Sequence, residues 1–104
     1  MDRRVVITGM GIYSCLGKTL DEVRDSLYTG KSGIIFDQER KDMGFRSALT
    51  SKLEIPDLKK ELSRQQRQFM PEQAKYAYCA TVDALRQAGL DQDFLDKNDV
   101  GLIY

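Results

Sequence analysis

The sequence predicts an α/β fold with a largely parallel sheet, because two apolar segments enclose two segments of helical periodicity. Residues 5–7 (VVI) and 100–104 (VGLIY) are typical of strands buried on both faces of a sheet. Apolar residues at helical spacing occur at 20–29 and again after Pro71. The predicted order is therefore strand, helix, irregular excursion, helix, strand.

The first predicted strand has no polar alternation, which favours a central position in a sheet. Gly9 and Gly11 follow it and allow a tight turn of the backbone. Because the chain stops inside or at the end of the second apolar strand, at 100–104, we expect the fold to be incomplete in this chain.

A first helix is predicted at about 20–29. Thr19 and Glu22 have the spacing of a capping box, in which the threonine hydroxyl meets the amide at the third helical position and the glutamate reaches back to the cap amide. Gly30 suits a left-handed cap at the other end.

Residues 31–70 are predicted to be a polar excursion outside the main layers, because only 33–36 (GIIF) form a compact apolar cluster. This segment is too long for an ordinary loop, so we expect it to hold short helical pieces or to pack on a neighbour. A polar connection is predicted at 91–99, before the last strand.

A second helix is predicted to open at Pro71 and to close at Gly89, since proline suits a first turn and glycine a helix end. Small side chains that permit close packing line this helix at three- and four-residue spacing: Ala74, Ala77, Thr81, Ala84 and Ala88.

Composition excludes several functional classes. Sixteen basic residues balance sixteen acidic ones, so no net charge attracts nucleic acid or an anionic membrane. No apolar run approaches a membrane span or a signal-peptide core, and we expect a cytoplasmic protein. The chain has no histidine, which removes Ser-His-Asp and Cys-His arrangements and any histidine base.

The two cysteines are far apart and have no companion ligands, so we predict reduced thiols and neither a metal nor a cofactor site. Cys15 precedes Thr19 by four residues and lacks a histidine partner, which favours a packed or loop thiol over a reactive one. Cys79 lies in the alanine-lined helix, as a small apolar residue would.

Residues 8–19 (TGMGIYSCLGKT) resemble a phosphate-binding loop in composition only. Such a loop needs a glycine separated by four residues from the Gly17-Lys18 pair, which is position 12, and position 12 is isoleucine. The dinucleotide fingerprint also fails, because it requires glycine at position 14, where the chain has Ser14. Both spacings disfavour nucleotide binding.

A series of segments, in order and with their spacing, resembles the amino-terminal part of the β-ketoacyl-[acyl-carrier-protein] synthases, most of all their type I elongating branch. The segments are RRVVITGMGIYSCLG (3–17), GKSGI (30–34), FDQERKDMGFRS (36–47), RQFM (67–70), ALRQAGL (84–90) and VGLI (100–103). The resemblance implies that residues 1–104 are a partial N-terminal domain of a thiolase-like αβαβα fold. It also implies a homodimeric enzyme of fatty acid synthesis.

In that family a cysteine accepts the acyl chain from acyl carrier protein, and two histidines assist the decarboxylation of malonyl-carrier protein before the condensation. All three lie beyond position 104, so no catalytic residue is assigned to this chain and we predict that the chain alone is inactive. Two alternatives stay open: a non-catalytic ketosynthase-like partner subunit and, against the spacing, a nucleotide-binding α/β domain. Fatty acid and polyketide pathways both stay open as well.

The family docks its acidic carrier protein on basic residues just before a Phe-Met pair, which is matched by residues 69–70. The predicted docking residues of this chain are Lys59, Lys60, Arg64 and Arg67. Arg64 stands where one such residue falls, whereas Gln65 and Gln68 replace residues that can be basic in this branch, and Arg67 is displaced by one position. A solvated helix face is the alternative interpretation of these charges.

Overall fold

The computed structural model describes residues 2–103, which fold into five helices and two short strands. In chain order they are α1 (Leu20–Thr29), β1 (Ile34–Phe36), α2 (Gln38–Asp42), β2 (Leu49–Ser51), α3 (Arg64–Gln68), α4 (Glu72–Ala88) and α5 (Gln92–Lys97). The two longest helices, α1 and α4, are the two helices that the sequence predicts.

Helix α1 confirms its predicted bounds, its Thr19 cap and its glycine end, whereas the second half of the predicted capping box is absent. The Thr19 hydroxyl accepts a hydrogen bond from the Glu22 amide at 3.2 Å. The Glu22 carboxylate, however, accepts from the Lys18 amide at 2.7 Å, one residue before the predicted partner. Gly30 ends the helix with a φ of 69°, a left-handed conformation that glycine adopts without strain.

Helix α4 lies against the extended segment that carries Gly9 and Gly11. A Cβ at Gly9 would overlap the carbonyl oxygen of Ala84, and a Cβ at Gly11 would overlap that of Ala80. The predicted close packing is therefore confirmed at Ala84 and Ala88, whereas Ala80 was not among the predicted residues and the predicted Thr81 is exposed. Both glycines are required by this close approach of two backbones, since any larger residue would separate them.

The segment between α1 and α4 holds short elements. Strands β1 and β2 pair antiparallel, with Ile34 opposite Ser51 and Phe36 opposite Leu49. Helix α2 begins after Asp37, whose carboxylate accepts hydrogen bonds from the Glu39 and Arg40 amides. The short helical pieces expected in this segment are thus present as α2 and α3.

The two predicted interior strands are wrong for the described residues. Residues 5–7 form no ladder, and Val5 and Ile7 are 95% and 83% exposed. Residues 100–103 are likewise exposed coil, and Tyr104 lies outside the described residues. A strand exists only where a neighbouring strand accepts and donates its hydrogen bonds, and neither segment has one within 2–103. The sheet that forms within residues 2–103 consists of β1 and β2 and is antiparallel, contrary to the parallel sheet predicted.

Helix α5 interrupts the predicted polar connection at 91–99. Asp91 caps it by accepting a hydrogen bond from the Phe94 amide at 2.9 Å. The helix is short and polar, so it lacks the apolar periodicity on which the prediction relied.

The molecule is extended, with little interior. Leu58 is the most buried apolar residue, at 3% exposure, and the Cα radius of gyration is 17.6 Å. A compact domain of this length has a radius of gyration of about 13 Å. None of the helices in the described part has the length and apolar character needed to cross a membrane.

Candidate functional site

The glycine-rich loop that resembles a phosphate site is closed by its own hydrogen bonds. Ser14 and Gly17 exchange backbone hydrogen bonds of 2.9 and 3.2 Å. The Leu16 amide donates to the Ser14 hydroxyl at 3.2 Å, and the Lys18 amide donates to the Glu22 carboxylate. A phosphate loop needs free amides that point at its ligand, so these contacts explain the loop without a phosphate.

The lysine of this loop is also engaged. Lys18 Nζ lies 2.7 Å from Glu54 Oε2, and the Tyr13 hydroxyl donates to the Glu54 carbonyl oxygen at 2.7 Å. The Tyr13 ring stacks on Tyr76 of α4, with centroids 5.4 Å apart and planes at 17°. Glu54 thus binds two residues of the loop, while Tyr13 joins the loop to α4, and we call Tyr13, Lys18, Glu54 and Tyr76 the Glu54 tether.

The electrostatics of the tether favour its charged state. The hydrogen bond from Lys18 lowers the pKa of Glu54, and the same bond raises the pKa of Lys18. Partial desolvation raises the pKa of Tyr76. No sequence pattern predicts the Lys18–Glu54 pair, because its partners are 36 residues apart.

An open cleft of about 680 Å³ lies beside the tether, between the loop, α1 and residues 52–54. Its hydroxyl groups serve the fold: the Ser26 hydroxyl donates to the Leu16 carbonyl at 2.6 Å, and the Thr29 hydroxyl donates to the Asp25 carbonyl at 2.8 Å. These two hydroxyl groups are therefore engaged within the fold, whereas Lys31 and Lys52 also line the cleft and form no ion pair within residues 2–103.

The predicted docking residues lie together on one stretch of chain, residues 59–67, which we call the basic segment. Leu58 anchors its start, and the amides of Glu61 and Leu62 donate to the Leu58 carbonyl. Helix α3 then begins with a full capping box, in which Ser63 and Gln66 exchange hydrogen bonds of 2.9 and 3.1 Å. The segment is therefore ordered locally, although it is short.

The four cations of the basic segment differ in their surroundings. Lys59, Lys60 and Arg64 are exposed, whereas Arg67 is half-buried and its Nε donates to the Leu62 carbonyl at 3.3 Å. No ion pair within residues 2–103 involves any of the four. Three unneutralised and exposed cations suit contact with an acidic surface.

Neither cysteine is placed for nucleophilic catalysis. Both are free and half-buried, and burial raises the pKa of the Cys79 thiol, which keeps it protonated. Cys15 packs against Gly33, where a Cβ would overlap its sulfur. In the part of the chain that the structure describes, no three Cys, Asp or Glu side chains cluster as metal ligands would.

Known proteins of similar sequence support the resemblance that the ordered segments indicate. The chain is 40% identical over 105 residues to 3-oxoacyl-[acyl-carrier-protein] synthase 1 of Buchnera aphidicola subsp. Acyrthosiphon pisum. It is 39% identical over 102 residues to the protein of the same name in Escherichia coli strain K12. Each match covers 97% of this chain and 25% of the relative. A 3-oxoacyl-[acyl-carrier-protein] synthase 2 of Vibrio cholerae is 29% identical over 89 residues, which cover 86% of this chain and 22% of that relative.

The chain thus spans about a quarter of the length of these relatives. Residues 2–104 match the family described as Beta-ketoacyl synthase, N-terminal domain, which is nearly the whole chain. The resemblance found in the sequence is confirmed, and the chain belongs to the beta-ketoacyl synthase N-terminal domain family.

Proposed function

We propose that this chain is the amino-terminal part of a 3-oxoacyl-[acyl-carrier-protein] synthase, an acyltransferase of fatty acid elongation. The observation that supports this most is the family match over residues 2–104, together with 40% identity to a synthase of that name. In the proposed reaction a cysteine thiolate of the full-length protein takes the acyl group from a carrier thioester. Malonyl-carrier protein then loses CO₂, and its carbanion attacks the acyl thioester and releases the thiolate.

The role of residues 1–104 in that enzyme is structural support and docking. The chain has no histidine, so its two half-buried cysteines lack the histidine base of a Cys-His pair, and the chemistry belongs to the rest of the full-length protein. We further propose that the full-length protein has the thiolase-like αβαβα fold. The exposed residues 5–7 and 100–103 become sheet strands there, because neighbouring strands then satisfy their backbone groups.

An activity assay tests the catalytic proposal. The full-length protein, incubated with acyl- and malonyl-carrier protein, should form a 3-oxoacyl product detectable by mass spectrometry. The 104-residue chain should show no turnover above a control without protein. Turnover by the short chain would contradict the assignment. A full-length protein that turns over only with a second subunit would be the non-catalytic partner instead.

The proposed homodimer has a separate test. Light scattering of the purified full-length protein should give twice the mass of one chain, since closed twofold dimers are the commonest oligomers. A monomer that retains activity would contradict this part of the proposal.

We propose that the basic segment docks the acidic carrier protein. Its supporting observation is the set of exposed cations without ion pairs, Lys59, Lys60 and Arg64. In the full-length protein, R64E should raise the KM for carrier-protein substrates by about three- to tenfold at low salt, because like charges then face each other. The effect should shrink at high salt.

The matched control for R64E is R46E, because Arg46 is also exposed but lies outside the basic segment. R46E should keep the wild-type KM. If R64E also keeps it at low ionic strength, the charges of the segment only solvate a helix face.

A further inference from the structure

We propose that Arg67 is a positioning residue that holds the basic segment in shape, while Lys59, Lys60 and Arg64 make the contacts with the acidic carrier protein. This inference rests on the docking proposed above. The sequence does not distinguish the four cations of the basic segment, whereas this inference gives them two different roles.

The contact that carries the inference runs backwards along the chain. Arg67 Nε donates to the Leu62 carbonyl oxygen at 3.3 Å, and the arginine is half-buried. The first helical hydrogen bond of α3 goes from the Arg67 amide to Ser63, so no amide of α3 serves Leu62. The Arg67 guanidinium supplies the missing donor, so the Leu62 carbonyl oxygen is hydrogen-bonded.

Through Leu62, this contact reaches the most buried residue of the segment. The Leu62 amide donates to the Leu58 carbonyl at 2.9 Å, and Leu58 is 3% exposed. Arg67 therefore connects the end of α3 to the turn that is fixed by Leu58. A helix of five residues has little stability of its own, so a side chain that joins its two ends matters to its orientation.

Arg64 has the opposite surroundings. It is the first residue of α3 and is exposed, and its side chain makes no hydrogen bond or ion pair among residues 2–103. Lys59 and Lys60 lie exposed in the preceding turn. These three side chains are free to meet a carboxylate, whereas Arg67 would first have to break its contact with Leu62.

Substitution by lysine distinguishes a role as a charge from a role in positioning. Lysine keeps the positive charge but cannot place a donor where the arginine has Nε–H. If Arg67 acts as a charge, R67K should behave like the wild type. If it positions the segment, R67K should fail in the same way as R67Q. The same pair at Arg64 provides the comparison: R64Q should lose salt dependence, and R64K should retain most of it.

The experiment uses the full-length protein with R64K, R64Q, R67K and R67Q, and R46Q as the control outside the segment. The KM and kcat for malonyl-carrier protein are measured across a range of salt concentrations, and amide hydrogen exchange is followed over residues 62–70. Both Arg67 variants should exchange about fivefold faster there, the factor that corresponds to a net hydrogen bond of about 1 kcal/mol. Their KM should rise with a wild-type salt dependence, and the change should lie in KM rather than in kcat. R64Q should raise KM and flatten its salt dependence, with wild-type exchange.

Two results overturn the inference: wild-type exchange in R67K, or a salt dependence of R67Q that is flattened as in R64Q. Failure of the docking proposal looks different, because R64Q then leaves both KM and its salt dependence at wild-type values. In that case the exchange rates still decide the role of Arg67: faster exchange in both of its variants supports the positioning role, and wild-type exchange refutes it.

Discussion

Expression of residues 1–104 alone should give a protein that associates or fails to fold cooperatively. The structure exposes 9106 Å² in an 11.9 kDa chain, whereas a folded monomer of that mass exposes about 6,000 Å². The excess is about 3,100 Å², of which a little over half is apolar on an ordinary surface. At about 25 cal/mol per Å² this corresponds to roughly 40 kcal/mol of burial that the chain lacks. The net stability of a whole domain is only about 5–15 kcal/mol, so the missing burial should prevent the chain from folding cooperatively alone.

Three measurements on the purified chain check this expectation. Light scattering should report species heavier than a monomer, an apolar dye should bind, and heating should produce no sharp transition. The exposed residues Val5, Ile7, Leu102 and Ile103 are the apolar surfaces that we expect to associate. A monodisperse monomer with a cooperative melt would refute the reasoning, because it would show that the chain buries enough surface by itself.

Two further predictions concern the full-length protein. Gly11→Ala should destabilise it by about 1–3 kcal/mol in chemical denaturation, because the new methyl group overlaps the Ala80 carbonyl. Gln73→Ala, at an exposed position near the start of the same helix, should change stability by less than about 0.5 kcal/mol, and equal effects would contradict the close approach. Glu54→Gln should lower the thermal midpoint at pH 7. The Lys18 hydrogen bond lowers the pKa of Glu54 from its ordinary 4.5, so the Glu54 carboxylate stabilises the fold fully above that pH. The difference in thermal midpoint between the wild type and Glu54→Gln should therefore shrink as the pH falls through the lowered pKa. A difference that persists in acid would refute the Lys18 contact.

Local signals predicted the two long helices well. The Thr19 hydroxyl and the glycines at 30 and 89 act within one turn of a helix end, so the residues that set each boundary are neighbours in sequence. The alanines of α4 predicted a close contact, but only the structure showed that the backbone of residues 9–11 makes it. The basic segment was also found from sequence, since its charges are nearly consecutive.

The family, the two long helices and their caps, and the absence of a histidine from residues 1–104 can all be read from the amino-acid sequence. The folded structure shows which cations are free, because Lys18 pairs with Glu54, 36 residues away, and Arg67 turns back to the Leu62 carbonyl. It also decided the strands. Residues 5–7 have every local feature of a buried strand and still form none, since a strand is completed by hydrogen bonds to another segment and a helix is completed by its own.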